Sequence, residues 1–116
     1  MNDFKNFESL FKYRAHITSK TSVFISCEAR ELQELVDVMT ANGYRWCADA
    51  IPATRVIERY MDKPLPGLVL YGYNSYYFNQ TKTVGKDVKC VLKFSDLINA
   101  DATSVKLEDI FDIIGG

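Results

Sequence analysis

Only two side chains in this sequence combine the chemistry and the setting of a catalytic group, a histidine and a cysteine. His16 is the single histidine and lies in the polar segment YRAHITSK, where a solvated or structural role is typical. Cys27 stands at the start of a predicted helix, and a helix N-terminus lowers the pKa of a thiol and activates it as a nucleophile. Because no base is predicted beside this thiol, we expect Cys27 to be packed and unreactive. We therefore predict no catalytic residues and a protein that is not an enzyme.

The sequence has no motif for a cofactor or a metal. GxSxG, GxGxxG, the P-loop, HExxH and the EF-hand loop do not occur. The three cysteines, Cys27, Cys47 and Cys90, form no CxxC pair, so no zinc spacing is present. Their odd number, with no signal peptide before them, predicts reduced thiols in a cytoplasm. No apolar run nears the roughly 20 residues of a membrane span, so no membrane contact is expected.

A tyrosine-rich segment, LVLYGYNSYYFNQ, is the strongest candidate for a recognition surface. It spans residues 68–80 and contains four of the seven tyrosines, and tyrosine with Asn, Ser and Gly is typical of protein-binding surfaces. We predict a hairpin with its two-residue turn at residues 74–75 (Asn-Ser). One face then carries the predicted partner-binding residues, Tyr71, Tyr73, Tyr76 and Phe78. The other face, with Leu68, Leu70 and Tyr77, points to the core. If the segment instead continues as one strand, the tyrosines divide between both faces and simple sheet packing explains them.

A second hypothesis assigns the aromatic residues to a small ligand. The protein would then bury a nucleotide, with tyrosine and tryptophan stacking on the base. The candidate phosphate contacts are Arg45, Lys82 and Lys86. Nucleic acid is not an expected partner, because the formal net charge is -1 and the segment YGYNSYYFN contains no Lys or Arg.

The elements that position these residues follow from the spacing of apolar side chains. The segment ELQELVDVMTANG has apolar residues at helical spacing and ends in Asn-Gly, a left-handed cap. The predicted strands TSVFISC and YRWCADA flank this helix. After a short helix and the break DKPLPG come the strand-like segments GLVLYGY, YYFNQ and VKCVLKF. Residues 1–116 are therefore predicted to form one α+β domain. It has a mainly antiparallel sheet, one long helix at about 28–42 and an N-terminal helix packed on it.

The two ends of the chain leave alternatives open. At the N-terminus, helical spacing is shared by Phe4, Phe7, Leu10 and Phe11. Exposed phenylalanines are costly, so this helix should pack on the body or on a second copy of the chain, as a homo-oligomer. Near the C-terminus, TSVKLEDIFDII is predicted as a strand leading into a helical turn or as a short helix. The terminal Gly-Gly also ends ubiquitin-like carriers, but their order of elements differs, so we expect a frayed end.

The segment 23–97 resembles the small accessory proteins of tailed phages. Their pattern is a strand, a helix with ELxELxxxLxxxGYxW, and later strands ending near a Phe-x-Asp-Phe/Leu motif. The matching residues here are Glu31, Leu32, Glu34, Leu35, Gly43, Tyr44, Trp46, Phe94, Asp96 and Leu97. The resemblance implies an α+β fold in the cytoplasm of a bacterial host. It also implies a stoichiometric binder that inhibits or redirects a host or defence protein, in host takeover or anti-defence. A few such proteins sequester nucleotides.

Overall fold

The computed structural model describes residues 6–48 and 51–100, together with the backbone of a short strand at 105–106. The helices are α1 (Phe7–Lys12), α2 (Leu32–Ala41), α3 (Thr54–Met61) and α4 (Phe94–Ile98). The strands are β1 (Ser22–Ser26), β2 (Arg45–Trp46), β3 (Gly67–Gly72), β4 (Ser75–Phe78), β5 (Val88–Lys93) and β6 (Val105–Lys106). Phe4 and the predicted features after residue 106, including the Gly-Gly, lie outside the described residues.

The strands form one mixed sheet in the order β2-β4-β3-β1-β5-β6. The pairs β1–β3, β3–β4 and β5–β6 are antiparallel, whereas β1–β5 and β2–β4 are parallel. The predicted α+β class and the mainly antiparallel sheet are therefore confirmed. Within the described ranges, no helix has the length and apolar character needed to cross a membrane.

The long helix forms where the apolar spacing predicts it. A 3-10 turn at Ala29–Glu31 leads into α2, and Glu28 and Glu31 form a capping box at that turn. The apolar residues at helical spacing in this segment, Leu32, Leu35, Val36 and Met39, are all buried in α2. Gly43 follows the helix with a φ of 86°, the left-handed conformation that glycine adopts without steric cost.

The main core lies between one face of the sheet and the helices. Its buried residues include Val23, Ile25, Leu68, Leu70, Tyr76, Phe78 and Leu92 from the strands and Leu10, Leu35, Met39, Ile57 and Leu97 from the helices. The opposite face carries a smaller buried cluster of Phe24, Val69 and Val88, which Leu65, Val84 and Val91 partly cover. This second face is therefore the one that leaves side chains of the β3–β4 hairpin open to solvent.

The N-terminal helix packs on its own chain. An Asn6–Ser9 capping box starts α1, and Leu10 is buried. The ring of Phe7 meets that of Phe94 edge-on at 5.8 Å, and the Phe11 ring lies 5.7 Å from Tyr44. Helix α1 therefore packs against the start of α4 and against Tyr44, the residue that follows the Asn42-Gly43 cap.

Candidate functional site

The tyrosine-rich segment forms the predicted hairpin, but its turn is displaced by one residue. Gly72 pairs with Ser75, so the two turn residues are Tyr73 and Asn74, with φ values of 55° and 54°. Positive φ at both central positions is the requirement of a type I′ turn, which usually contains Asn-Gly. The prediction of a turn at residues 74–75 is therefore wrong. Asn74 occupies the second turn position, and a tyrosine holds the first.

A second difference, a one-residue shift of register between Leu70 and Gly72, corrects the predicted partner-binding face. Leu68 pairs with Phe78 and Leu70 with Tyr76, so the two aromatic side chains share the core face with the leucines. Tyr76 is 0% exposed and Phe78 is 2% exposed. Because side chains alternate along a strand, a shift of one residue in pairing moves every side chain of β4 to the other face. Tyr76 and Phe78 are therefore core residues, and their assignment to an exposed surface is wrong.

The buried aromatic residues pack closely, yet one hydroxyl lacks a hydrogen bond. Phe78 stacks on Tyr60 at a centroid distance of 4.4 Å, and Trp46 meets the Phe78 ring edge-on at 5.6 Å. The Tyr76 hydroxyl is buried without a hydrogen-bond partner, as is that of Thr40. Burial raises the pKa of Tyr76 to about 12. The Tyr76 phenol therefore stays protonated at neutral pH.

Three tyrosines of the hairpin reach solvent. Tyr73 is 99% exposed at the tip of the turn. Tyr71 is half-buried, and its ring lies 5.6 Å from that of Tyr77 on the second face of the sheet. Tyr77 is 38% exposed, and burial raises its pKa. The predicted pairing assigned Tyr77 to the core. Adjacent positions 76 and 77 must lie on opposite faces, but only the true register shows which one is outside.

A cleft of about 640 Å³ lies beside the hairpin tip. The lining residues are Arg14, Ala15, Ile17, Thr18, Ser19, Tyr71, Gly72, Tyr73 and Asn74. A Cβ at Gly72 would lie 3.3 Å from the Ile17 carbonyl oxygen, so glycine lets the two segments approach. The sequence analysis did not predict this cleft, because its two walls are far apart along the chain.

Arg14 forms one wall of the cleft and is held by several contacts. Its guanidinium lies over the rings of both Phe11 and Tyr44, at 5.1 and 5.0 Å from their centroids. Nε donates to the Phe11 carbonyl oxygen at 3.2 Å, and Nη2 donates to that of Asn42 at 3.1 Å. Nη1 donates to Oδ1 of Asn74 at 3.4 Å. Arg14 thus joins α1, the cap of α2 and the hairpin turn with a fixed orientation.

The predicted phosphate contacts are all exposed, but none of them lines this cleft. Arg45 lies on β2, where its backbone N–H donates to the Asn74 carbonyl oxygen at 2.8 Å. Lys82 and Lys86 lie in the loop between β4 and β5. Contact of Arg45, Lys82 and Lys86 with a ligand stays a prediction.

The two residues with catalytic chemistry lie in unrelated settings. Burial, followed by the negative charges of Glu31 and Glu28, raises the pKa of the Cys27 thiol to about 12. This thiol is protonated at neutral pH, in agreement with a packed side chain. His16 is exposed and stacks on Tyr13 at 4.8 Å. Among the described residues, no group of three potential metal ligands comes together.

No protein-family model, no curated protein and no solved structure matches this chain. The resemblance to tailed-phage accessory proteins therefore stays a prediction. The fold and the site together define an α+β domain with an exposed tyrosine hairpin beside a cleft.

Proposed function

We propose that this chain is a non-enzymatic phage accessory protein that acts in the cytoplasm of a bacterial host. It binds a host or defence protein, which it inhibits or redirects. The tip of the β3–β4 hairpin is the main contact. One observation carries the contact site, namely that Tyr73 is 99% exposed while its backbone is held at a φ of 55°.

The conformation of Tyr73 has a cost that the isolated chain does not offset. A left-handed backbone costs a residue with a side chain about 1–2 kcal/mol, and glycine or asparagine pays less. The ring packs on nothing within the described residues, so folding gains no burial from it. A strained and exposed aromatic residue is a reason to infer function. Tyrosine is also among the residue types that dominate binding energy at interfaces.

The neighbours of Tyr73 extend this surface. Tyr71 and Tyr77 form a partly exposed pair on the second face of the sheet. Tyr71 and Tyr73 also line the cleft that contains Arg14. The tip thus offers an aromatic anchor next to a concave surface, which is the usual arrangement of a binding hot spot.

The test is affinity purification with mass spectrometry from bacterial lysate, with Tyr73→Asn compared with the wild type. Asparagine suits the left-handed turn, so the variant removes the ring without harming the fold. Ile98→Asn is the matched control, because Ile98 is also an exposed apolar residue, 51% exposed, and lies in α4. We expect a protein that co-purifies with the wild type and with Ile98→Asn but not with Tyr73→Asn. Recovery of the same protein by Tyr73→Asn, or of none by the wild type, would contradict the proposal.

A second candidate function is a nucleotide sponge, which the size of the cleft favours. Its volume of about 640 Å³ falls within the range of small-ligand pockets, roughly 300–1,000 Å³. Tyr71 and Tyr73 offer stacking surfaces, and Arg14 offers a positive charge. Thermal-shift screening with cyclic and linear nucleotides tests this function. A ligand at 100 times its Kd should add about 2.7 kcal/mol to the free energy of unfolding.

A further inference from the structure

The positive charge of Arg14 is not neutralised within the described residues. The ion pairs found there are Glu8–Lys12 and Glu28–Arg30, and neither involves Arg14. Its contacts are neutral carbonyl or amide oxygens and two aromatic rings. The cleft therefore has a fixed cation in its wall without a counter-charge.

The lining of the cleft and the segment that supplies one of its walls carry positive charge and no negative charge. None of the lining residues is acidic. The segment 12–20, which supplies one wall, contains Lys12, Arg14 and Lys20 but no Asp or Glu. The charge of Lys12 is offset by that of Glu8, because Nζ of Lys12 lies 3.4 Å from Oε1 of Glu8 in an exposed ion pair. The local electrostatic field therefore favours an anionic group in the cleft.

Donor groups remain for such an anion. Arg14 has five N–H groups, and three of them donate to protein oxygens. The bond to Asn74, at 3.4 Å, is longer than an ordinary N–H···O bond, so a carboxylate can compete for it. The Ser19 hydroxyl, also in the lining, makes no hydrogen bond to other described residues. A carboxylate bound between Arg14 and Ser19 would gain charge-assisted hydrogen bonds.

We propose that the cleft binds an acidic peptide segment of the partner protein. This inference rests on the proposed function and names the chemistry of the partner. An Asp or Glu carboxylate binds Arg14 and Ser19, and an adjacent apolar or aromatic side chain packs against Tyr71 and Tyr73. A carboxylate fits better than the phosphate monoester of a linear nucleotide, since one guanidinium balances the single charge of a carboxylate, whereas a phosphate monoester carries close to two charges.

The test starts from a displayed library of random dodecapeptides selected on the immobilised protein. We expect enrichment of sequences with Asp or Glu next to an aromatic or aliphatic residue. The best peptide is then synthesised with a fluorescent label, and its Kd is measured by fluorescence polarisation. Ser19→Glu puts a negative charge at the exposed rim of the cleft and should weaken binding about tenfold or more. Gln80→Glu, also exposed but beyond the far end of β4, is the matched control and should change Kd less than about twofold.

Several outcomes would overturn this inference. The inference is wrong if the selected peptides lack acidic residues or if no sequence is enriched. It is also wrong if the best peptide binds Ser19→Glu and Gln80→Glu with equal affinity. If adenosine monophosphate shifts the NMR resonances of the cleft residues and no acidic peptide binds, the ligand of the cleft is a nucleotide and not a peptide. A lysate partner that depends on Tyr73 but not on Ser19→Glu would refute the acidic segment and leave the proposed function standing. A lysate partner that binds Tyr73→Asn as well as it binds the wild type would instead refute the proposed function.

Discussion

Removing the Tyr76 hydroxyl should leave the protein as stable as the wild type or make it more stable. Tyr76 is 0% exposed, and its hydroxyl is buried without a hydrogen-bond partner. A buried and unpaired polar group costs about 1–3 kcal/mol. Tyr76→Phe removes this group and keeps the ring that meets Phe78 edge-on at 5.8 Å. We therefore expect the free energy of unfolding to rise by about 1 kcal/mol and by no more than about 3 kcal/mol.

Urea unfolding measures this effect, with the single tryptophan as the probe. Trp46 is half-buried and packs near Phe78, so its fluorescence should report loss of the core. Tyr71→Phe is the matched control, because Tyr71 is half-buried on the opposite face, and its stability should stay within about 0.5 kcal/mol of the wild type. Tyr76→Ala should lower stability by about 3–5 kcal/mol, since it empties the ring's place in the core.

The reasoning is refuted if Tyr76→Phe loses more than about 1 kcal/mol, the usual net contribution of a satisfied hydrogen bond. Such a loss would mean that the hydroxyl has a partner. A neutral Tyr76→Ala would be a still stronger contradiction, because it would place Tyr76 on the surface and contradict its pairing with Leu70.

Three further predictions follow from the same structure. Tyr73→Asn should raise the free energy of unfolding by about 1 kcal/mol, because it relieves the strained turn at a position that is 99% exposed. A lower free energy of unfolding than that of the wild type, measured with urea, would contradict this. Gly67→Ala should destabilise the protein by about 1–3 kcal/mol or more, since a Cβ there would clash with the Ile25 carbonyl oxygen at a φ of 154°. Thermal unfolding measures this effect, and an unchanged Tm would count against the β1–β3 register. Alkaline pH should destabilise the fold, because Cys27 and Tyr76 both have a pKa of about 12 in the folded protein, against 9.0 and 10.0 when exposed. Both groups ionise first in the unfolded chain, so stability is complete below pH 9 and falls towards pH 12, by up to about 1.4 kcal/mol per pH unit for each group. Tyr76→Phe should remove the part of this fall that begins near pH 10, and a pH profile identical to the wild type would contradict the assignment.

The sequence predicts those parts of the fold whose cause is local. The four-residue apolar stripe of α2 and the Asn42-Gly43 cap are neighbours along the chain, so their spacing is enough to place the helix. The strand order is different, because β1 pairs with β3 and β5, both of which are distant in sequence. No local pattern records which distant strand becomes a neighbour.

The candidate site was only partly predictable for the same reason. The composition of the tyrosine-rich segment predicts a hairpin, but the pair Asn-Ser predicts a turn that is one residue too late in the chain. Asn74 is the second turn residue and not the first, and a one-residue shift of register between Leu70 and Gly72 then exchanges the faces of Tyr76 and Tyr77. Arg14 was not identified at all. Its role depends on contacts with Asn42 and Asn74, the latter 60 positions away, and nothing near Arg14 in the sequence indicates them.

Photo-crosslinking from position 73 tests the central claim, contact through the hairpin tip, most directly. Tyr73→p-benzoylphenylalanine keeps an aromatic ring at the tip, and Ile98→p-benzoylphenylalanine places the same probe in α4, at a side chain that is 51% exposed in the wild type. After irradiation in bacterial lysate, we expect a discrete crosslinked species from position 73 and not from position 98. Mass spectrometry should assign it to one protein, and an excess of unlabelled wild-type chain should reduce it. No crosslink from position 73, or the same products from both positions, would contradict the account.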